Sequence, residues 1–343
     1  MGKKRLVIDT DAVADDIRAI SLAIQRDDVE VVAITTVIGC CPVEQAVANV
    51  ARTLRANGLE RDAIPVYQGS ANPLIGNGHD HLEERHFFGS DGIGGAPHDF
   101  PAVEPEDFDV AKGKPHAAQA LIDIFKQNQD ELILVCLGPL TNIALALKLE
   151  PKFKTWPKEV VIMGGNVFGA GNVKSYSTAE FNFSNDPEAA HIVLAEIEKP
   201  ITIVPWECFL FTSNSHNVDF HAHLKLDAPL AKFFSTATSI GRMSLAVNNL
   251  QYAYCDEIAV ASAIDPENII IEDRKLRGSV ELHGSLTRGQ LALDWTETLW
   301  NEHFLSTGKF CDKRKPFRFV KSYNIPLLNQ MITDAVLKSA KKN

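Results

Sequence analysis

Three absences in the 343-residue sequence narrow the class of protein. No stretch approaches the roughly 18 consecutive apolar residues that a membrane-spanning helix needs. Basic residues are scarce: 34 Lys and Arg stand against 44 Asp and Glu, for a formal net charge of −10, whereas nonspecific nucleic-acid binding needs a cationic surface. None of the six cysteines forms a Cys-x-x-Cys pair, as expected for reduced thiols. We therefore expect a cytoplasmic protein without nucleic-acid or membrane partners.

The chain does have the apolar content for a large core, with 45% hydrophobic and 23% charged residues. Short β-branched runs alternate with segments of helical period. The runs that predict strands are Arg5–Ile8, Val29–Val37, Ile64–Tyr67, Leu132–Leu137, Val160–Met163 and Ile201–Val204. Helices are predicted between them, among others over Ala117–Gln127, Thr141–Leu149 and Pro187–Ile197. The alternation predicts an α/β fold with a mainly parallel sheet, flanked by helices, and a site at the carboxyl ends of its strands.

The pattern becomes more helical after about residue 210. We predict helices over Pro229–Leu250 and Glu257–Ile264, a β-rich stretch over Ile269–Asp294, and a final helix from about Pro326. No internal repeat, low-complexity linker or shift in composition marks a domain boundary. We therefore predict that residues 1–343 form a single domain with a C-terminal elaboration.

Four carboxylates occur within eight residues, directly after the first predicted strand: Asp9, Asp11, Asp15 and Asp16. Helix capping and compensation of the helix dipole would account for one or two of them. Four crowded carboxylates repel one another, and a hard divalent cation relieves that repulsion. Because all-oxygen ligation favours Ca²⁺ or Mg²⁺, the cluster predicts a metal site.

The cluster resembles the signature of the nucleoside hydrolases, the inosine-uridine preferring N-ribohydrolase family, which usually reads Asp-Thr-Asp-Pro-Gly-x-Asp-Asp. Here Ala12 and Val13 replace the Pro and Gly. Segments that resemble other motifs of the family follow in register: Thr35–Gly39 with Asn49, Gly138–Asn142, Met163–Gly165, Asn172, Glu180–Asn182, Asp186–Ala190, and Asp256 with Ala259–Ala261. The resemblance implies a nucleoside hydrolase fold and calcium-dependent hydrolysis of the N-glycosidic bond of ribonucleosides to free base and ribose.

The resemblance also implies roles for individual residues. Those that would hold the Ca²⁺ are Asp11, Asp16, Asp256 and the backbone carbonyl of Leu137. Those that would contact the ribose are Asp15, Asn172, Glu180 and Asn182, with Met163 packed below the sugar. Asp11 would in addition be the base that activates a calcium-bound water, since a bound metal lowers the pKa of water.

Two cysteines depart from the family's pattern. Cys40 stands where the family commonly has Asn, and Cys255 where it commonly has the His that is often assigned proton donation to the departing base. A thiol with an ordinary pKa of about 8.5 is protonated at neutral pH and can donate, although weakly. Each cysteine is equally well explained as a small buried hydrophobe. We predict that both face the pocket, Cys40 as a substrate contact and Cys255 as the proton donor.

Two other functions remain open. A nucleoside- or ribose-binding protein would keep the sugar site but lack turnover because of Cys40 and Cys255. A metal-dependent phosphatase would use Asp9 as the nucleophile and Asp11 as acid and base. For the nucleoside hydrolase we expect a role in purine salvage, a small-molecule nucleoside as partner and a homo-oligomer, either dimer or tetramer. The tryptophans that we assign to core or interface rather than to the base are Trp206, Trp295 and Trp300.

Overall fold

The computed structural model describes residues 2–76, 85–173, 177–215, 217–295 and 315–341, so that Trp300 and Cys311 lie outside the described residues. The strands, in chain order, are β1 Lys4–Thr10, β2 Val29–Thr36, β3 Val66–Gln68, β4 Ile133–Cys136, β5 Glu159–Met163, β6 Ile201–Val204, β7 Ile270–Val280, β8 Leu291–Leu293 and β9 Pro316–Tyr323. The helices are α1 Ala14–Gln25, α2 Val43–Ala56, α3 Arg85–Phe88, α4 Ala117–Gln127, α5 Thr141–Leu149, α6 Phe181–Asn185, α7 Pro187–Glu196, α8 Glu207–Leu210, α9 Pro229–Ala237, α10 Ser239–Ala246, α11 Asp256–Ile264, α12 Pro266–Ile269 and α13 Ile325–Ser339.

The strands of the described segments form one sheet in the order β3-β2-β1-β4-β5-β6-β9-β7-β8. Neighbours from β3 to β9 run parallel, and β7 pairs antiparallel with both β9 and β8. Successive residues of a strand point to opposite faces, and accordingly Val7 and Ile8 belong to two different apolar clusters, both fully buried. The predicted mainly parallel sheet, covered on both faces, is confirmed.

The strand order reverses direction beside β1, which has β2 on one side and β4 on the other. In open α/β sheets, the connections leave such neighbouring strands toward opposite faces, and a crevice opens beyond their carboxyl ends. Asp11 follows the end of β1 and Leu137 follows the end of β4. The topology therefore brings these two predicted site residues to the same edge of the sheet.

The C-terminal third differs from the prediction in one helix that is divided, in a smaller extent of strand, and in one strand that was not predicted. The helix predicted over Pro229–Leu250 is divided into α9 and α10 at Thr238, whose hydroxyl donates to the Phe234 carbonyl at 2.7 Å, a back-bond that bends helices. The β-rich stretch holds only β7 and the three-residue β8. The strand β9 was not predicted, although Phe317 and Phe319 alternate with the more exposed Arg318. The final helix begins within one residue of the prediction.

In the described part of the chain, no helix combines the length and the apolar character that crossing a bilayer requires.

Candidate functional site

A cavity opens at the carboxyl ends of the central strands, and every residue with an individual role in the predicted nucleoside hydrolase site lines it. Its lining residues are of two kinds. The carboxylates and amides are Asp11, Asp15, Asp16, Asn172, Glu180, Asn182 and Asp256. The aromatic and large apolar residues include Phe87, Phe88, Phe181, Trp206, Phe209, Leu245 and Tyr252. Cys40, Leu137, Met163 and Cys255 complete the predicted set. The cavity thus combines a strongly acidic surface with an aromatic one.

The acidic surface contains a group of carboxylates close enough to share a cation. Asp15 and Asp16 stand in the first turn of α1, Asp256 begins α11, and one oxygen of each lies within 4.8 Å of the others. Burial and mutual repulsion raise the pKa of Asp16 and Asp256 well above the usual range. Asp15 Oδ1 is buried and has no hydrogen-bond partner among the described residues. An all-oxygen set of this kind fits a hard divalent cation.

Asp11 is held by the backbone of a neighbouring loop. The N–H of Cys40 donates to its Oδ2 at 2.9 Å. Gly39 permits this approach, because a Cβ there would lie 2.0 Å from the same oxygen. Burial raises the pKa of Asp11 to about 6. The next residue, Ala12, has a φ of 53°, which a proline could not adopt, so the turn differs from one built on Pro. Asp11 lies in the cavity but outside the closest carboxylate group.

Asp9 belongs to the sheet interior rather than to the cavity. Its side chain is fully buried and accepts hydrogen bonds from the Thr35 hydroxyl and from Asn142 Nδ2, the latter at 2.8 Å. Burial raises the pKa of Asp9 to about 7. The cavity lining does not include it. The phosphatase alternative, which needs Asp9 as an accessible nucleophile, is therefore wrong.

The segment before and within α6 brings the predicted sugar contacts together. Glu180 caps this helix by accepting the Asn182 N–H at 2.8 Å, and it also accepts the Gly165 N–H at 2.7 Å. Burial raises the pKa of Glu180 to about 7. Asn182 Nδ2 donates to the Leu137 carbonyl at 2.8 Å and to the Met163 carbonyl at 3.2 Å. These bonds connect the ends of β4 and β5.

Asn172 and Asp186, which both belong to segments that resemble the sugar-binding stretch, differ in their position relative to the cavity. Asn172 Oδ1 accepts the Phe181 N–H at 2.7 Å, and Asn172 lines the cavity. Asp186, which the resemblance places in the sugar-binding stretch, instead caps α7 by accepting the Ala189 N–H at 3.0 Å and also accepts the Thr141 hydroxyl at 2.6 Å. Asp186 is fully buried and does not line the cavity, so its role is structural.

Both unusual cysteines line the cavity, and both also pack in the buried apolar core. Only 5% of Cys40 and 4% of Cys255 is exposed. Burial, followed by the charges of nearby carboxylates, raises the pKa of each thiol well above its ordinary value. Both thiols therefore remain protonated at neutral pH. Cys40, Cys136, Cys208 and Cys255 are free thiols.

Most of the aromatic surface was not predicted from the sequence. Trp206, assigned above to core or interface, lines the cavity and stacks on Phe209, with ring centroids 4.5 Å apart and an interplanar angle of 20°. Phe87 stacks on Tyr252 at 5.9 Å and meets Phe88 edge to face. Trp206 follows β6 by two residues. Its position just beyond the carboxyl end of a parallel strand is the sequence feature that could have assigned it to the site.

Comparisons with known proteins agree with the geometry. A family model described as inosine-uridine preferring nucleoside hydrolase matches residues 6–327. A solved structure titled Inosine-Guanosine Nucleoside Hydrolase (IG-NH) superposes with a TM-score of 0.81 at 31% identity, and the match covers 97% of this chain and 99% of that one.

Two curated relatives differ in how much of their length is matched. The "Inosine-uridine preferring nucleoside hydrolase" of Leishmania major is 30% identical over 293 residues, which cover 85% of this chain and 88% of that protein. The "Probable uridine nucleosidase 2" of Oryza sativa subsp. japonica is 38% identical over 191 residues, 56% of this chain. Those residues are 53% of the rice protein, so the match spans about half of its length.

Proposed function

Because the chain belongs to the inosine-uridine preferring nucleoside hydrolase family, and so to the hydrolases of N-glycosyl bonds, we propose that it splits ribonucleosides into free base and ribose with the help of Ca²⁺. One observation carries the proposal: a single cavity holds a cation-sized carboxylate group, amides suited to vicinal hydroxyls, and aromatic rings suited to a base. Each part of a nucleoside thus has side chains of matching chemistry.

The proposed ligands of the Ca²⁺ are Asp11, Asp16, Asp256 and the carbonyl of Leu137. Support comes from Asp16 and Asp256, which belong to the closest carboxylate group, and from the crowding that raises their pKa values in the absence of a cation. The carbonyl of Leu137 has a second lone pair beside the one that Asn182 uses. When bound, the ion would make a nearby water acidic enough to act as a nucleophile near neutral pH.

Asp11 is the proposed general base. With a pKa of about 6, the Asp11 carboxyl group is ionised in most molecules at pH 7. In that form it can accept a proton from the attacking water. The other carboxylates act electrostatically, because cleavage of the glycosidic bond passes through an oxocarbenium-like state that negative charge stabilises. The side chains proposed to hold the ribose hydroxyls are Asp15, Asn172, Glu180 and Asn182, with Met163 under the ring.

The departing base is proposed to lie against the aromatic surface of the cavity. Cys255 is proposed as its proton donor and Cys40 as a substrate contact, since both thiols are protonated and line the cavity. The rings of Trp206 and Phe209 offer a flat surface for stacking. The hydrogen of a thiol is a weak donor, so we expect base release to depend on the leaving group.

A reducing-sugar assay on a panel of purine and pyrimidine nucleosides tests this function. We expect ribose release that falls when the protein is treated with a chelator and returns with Ca²⁺. A protein that binds nucleosides in equilibrium dialysis but releases no ribose with Ca²⁺ present would be the nucleoside-binding alternative. Ribose release that persists after complete removal of the metal would refute the calcium dependence.

We also propose a single-domain, cytoplasmic homo-oligomer, a dimer or tetramer, that serves purine salvage. The pairing of β9 with β6 supports one domain, because it joins the C-terminal elaboration to the central sheet. The free thiols in the cavity support a reducing compartment. An exposed aromatic group supports oligomerisation: Phe168 contacts Phe211 and stacks on Trp295 at 5.8 Å. Release of free purine would supply salvage.

A further inference from the structure

Arg18 is a fully buried cation that the proposed mechanism does not use. Its Nε forms an ion pair with Glu257 Oε1 at 2.5 Å, and neither side chain is accessible to solvent. Its Nη2 donates to the Ala253 carbonyl at 3.3 Å. Its Cζ lies 4.8 Å from the ring centroid of Tyr252 and 5.5 Å from that of Tyr254. All four contacts fall within residues 252–257.

The contacts join the two parts of the chain that carry the carboxylate group. Arg18 belongs to α1, one turn after Asp15. Residues 252–257 contain Tyr252, Cys255 and Asp256, which line the cavity, whereas Arg18 does not. One side chain thus spans from the helix that supplies Asp15 to the segment that supplies Asp256.

Glu257 extends this connection to the backbone. While Oε1 faces Arg18, Oε2 accepts the N–H of Cys255 at 2.9 Å. Residues 247–255, between α10 and α11, have no regular secondary structure, so ladder hydrogen bonds do not fix their conformation. The ion pair and the two tyrosine contacts therefore help to determine the path of the chain into Asp256, together with the hydrogen bonds that Gln251 donates to Ser213 and Tyr254 donates to Asn329.

An ion pair buried in this way is a poor source of stability. Removing both charges from water is costly, and an apolar pair of similar volume is often as stable. A planar guanidinium does offer what an apolar side chain lacks, since it can pair, donate and stack in fixed directions at once. These properties suit a residue that sets geometry.

We propose that Arg18 is a positioning residue: together with Glu257 it holds residues 252–257 against α1 and so sets the place of Asp256 relative to Asp15 and Asp16. The inference rests on the proposed function in one respect, the metal that Asp16 and Asp256 would share. Arg18 itself touches neither metal nor substrate.

The test compares two double variants. Arg18→Met/Glu257→Gln removes both buried charges together, so that no orphan charge prevents folding, and the introduced amide oxygen can still accept the Cys255 N–H. The matched control is Arg55→Met/Asp107→Asn, which removes another pair with a fully buried carboxylate, 2.6 Å apart and outside the cavity lining. Thermal melts establish that both variants fold. Arg18→Lys keeps the charge but loses the planar fork.

Hydrogen exchange and Ca²⁺ titration by calorimetry are the readouts. In the Arg18 double variant we expect amides of the 252–257 peptide to exchange about tenfold faster, and Ca²⁺ affinity to fall about 10- to 100-fold, as when a supporting residue of a metal site is lost. The control should change neither quantity, and Arg18→Lys should give intermediate affinity.

Each outcome either supports or overturns the positioning role of Arg18. A folded Arg18 double variant with unchanged exchange at 252–257, or with faster exchange and wild-type Ca²⁺ affinity, overturns the proposal. If the wild-type protein binds no Ca²⁺, the proposed metal fails. In that case the exchange rate at 252–257 and kcat on nucleosides still test the role of Arg18. Faster exchange with a lower kcat in the Arg18 double variant, but not in the control, supports positioning. No change in either quantity refutes it.

Discussion

The backbone N–H of Cys40 donates a hydrogen bond to Oδ2 of Asp11, with 2.9 Å between the two atoms. The bond joins the loop after β2 to the residue after β1, and it exists because Gly39 leaves room for the carboxylate. It directs one Asp11 oxygen toward a fixed donor. The orientation of the proposed base is therefore set by the backbone, which allows its charge to be removed with little change of geometry.

Asp11→Asn should lower kcat for nucleosides by at least about 10²-fold, since general base catalysis contributes about 10²–10⁴. The Asn carbonyl oxygen can still accept the Cys40 N–H, and KM should change less than kcat because Glu180, Asn172 and Asn182 remain. Steady-state kinetics with a ribose assay provides the measurement. Turnover equal to that of the wild type would place the base elsewhere. Gly39→Ala serves as a contrast, because it displaces the carboxylate and should impair KM as well.

Cys255 can be tested through the leaving group. Cys255→Ala removes the thiol hydrogen, whereas Cys255→Ser keeps a donor of similar size. If the thiol assists departure of the base, the Ala variant should lose kcat on nucleosides but retain it on p-nitrophenyl riboside, whose leaving group needs little protonation. The Ser variant should lose less. Cys136→Ala, which truncates a buried cysteine outside the cavity lining, is the matched control.

The two substrates together separate catalysis from packing at Cys255. Equal losses of kcat on both would mean that the thiol only fills space, in agreement with its 4% exposure. Full activity on both would leave departure of the base without a proton donor among the cysteines of the cavity.

Trp206 should bind the base. Trp206→Leu should raise KM for nucleosides about tenfold, because stacking on an aromatic side chain contributes about 1–3 kcal/mol per base. The effect on p-nitrophenyl riboside, which also carries a ring, should be similar. Trp295→Leu is the control, since Trp295 stacks on Phe168 and does not line the cavity. An unchanged KM in the Trp206 variant would return this residue to the role of packing.

The carboxylates could be predicted from the sequence because they are local. Asp11, Asp15 and Asp16 occur within six residues, and their crowding requires an explanation whatever the fold. The parallel sheet could be predicted for a similar reason, since its strands are short apolar runs with helices between them. The closeness of Asp15 to Asp256 could not be predicted from local sequence, because it depends on the packing of α1 against α11.

The aromatic surface could not be predicted because it is assembled from separate segments. Phe87, Trp206 and Tyr252 come from α3, from the end of β6 and from the irregular residues before α11. An aromatic residue has the same appearance in a sequence whether it lies in a core or faces a cavity. The strand β9 was missed for a related reason: its partner β6 is more than a hundred residues away, and local pattern alone does not reveal such pairing.

His223 is buried in an apolar and cationic environment. None of its surface is exposed, its ring meets that of Phe234 edge to face, and neither ring nitrogen has a hydrogen-bond partner among the described residues. Burial, followed by the nearby charges of Arg18 and His221, lowers the pKa of His223 to about 3. Asp219 opposes this shift, whereas Arg242 adds to it.

This depressed pKa predicts that acid destabilises the protein through His223. Between pH values of about 6.5 and 3 the unfolded chain binds a proton that the folded chain does not, so the free energy of unfolding falls as the pH falls; this group alone should remove about 2 kcal/mol between pH 7.5 and 5. His223→Leu gives up no hydrogen bond and should be less sensitive to acid by that amount. Urea unfolding at both pH values measures the difference. His221, whose pKa is lowered to about 4, should contribute a pH dependence that is present in both proteins and cancels in their difference. Identical pH slopes in wild type and His223→Leu would mean that His223 takes up its proton without unfolding.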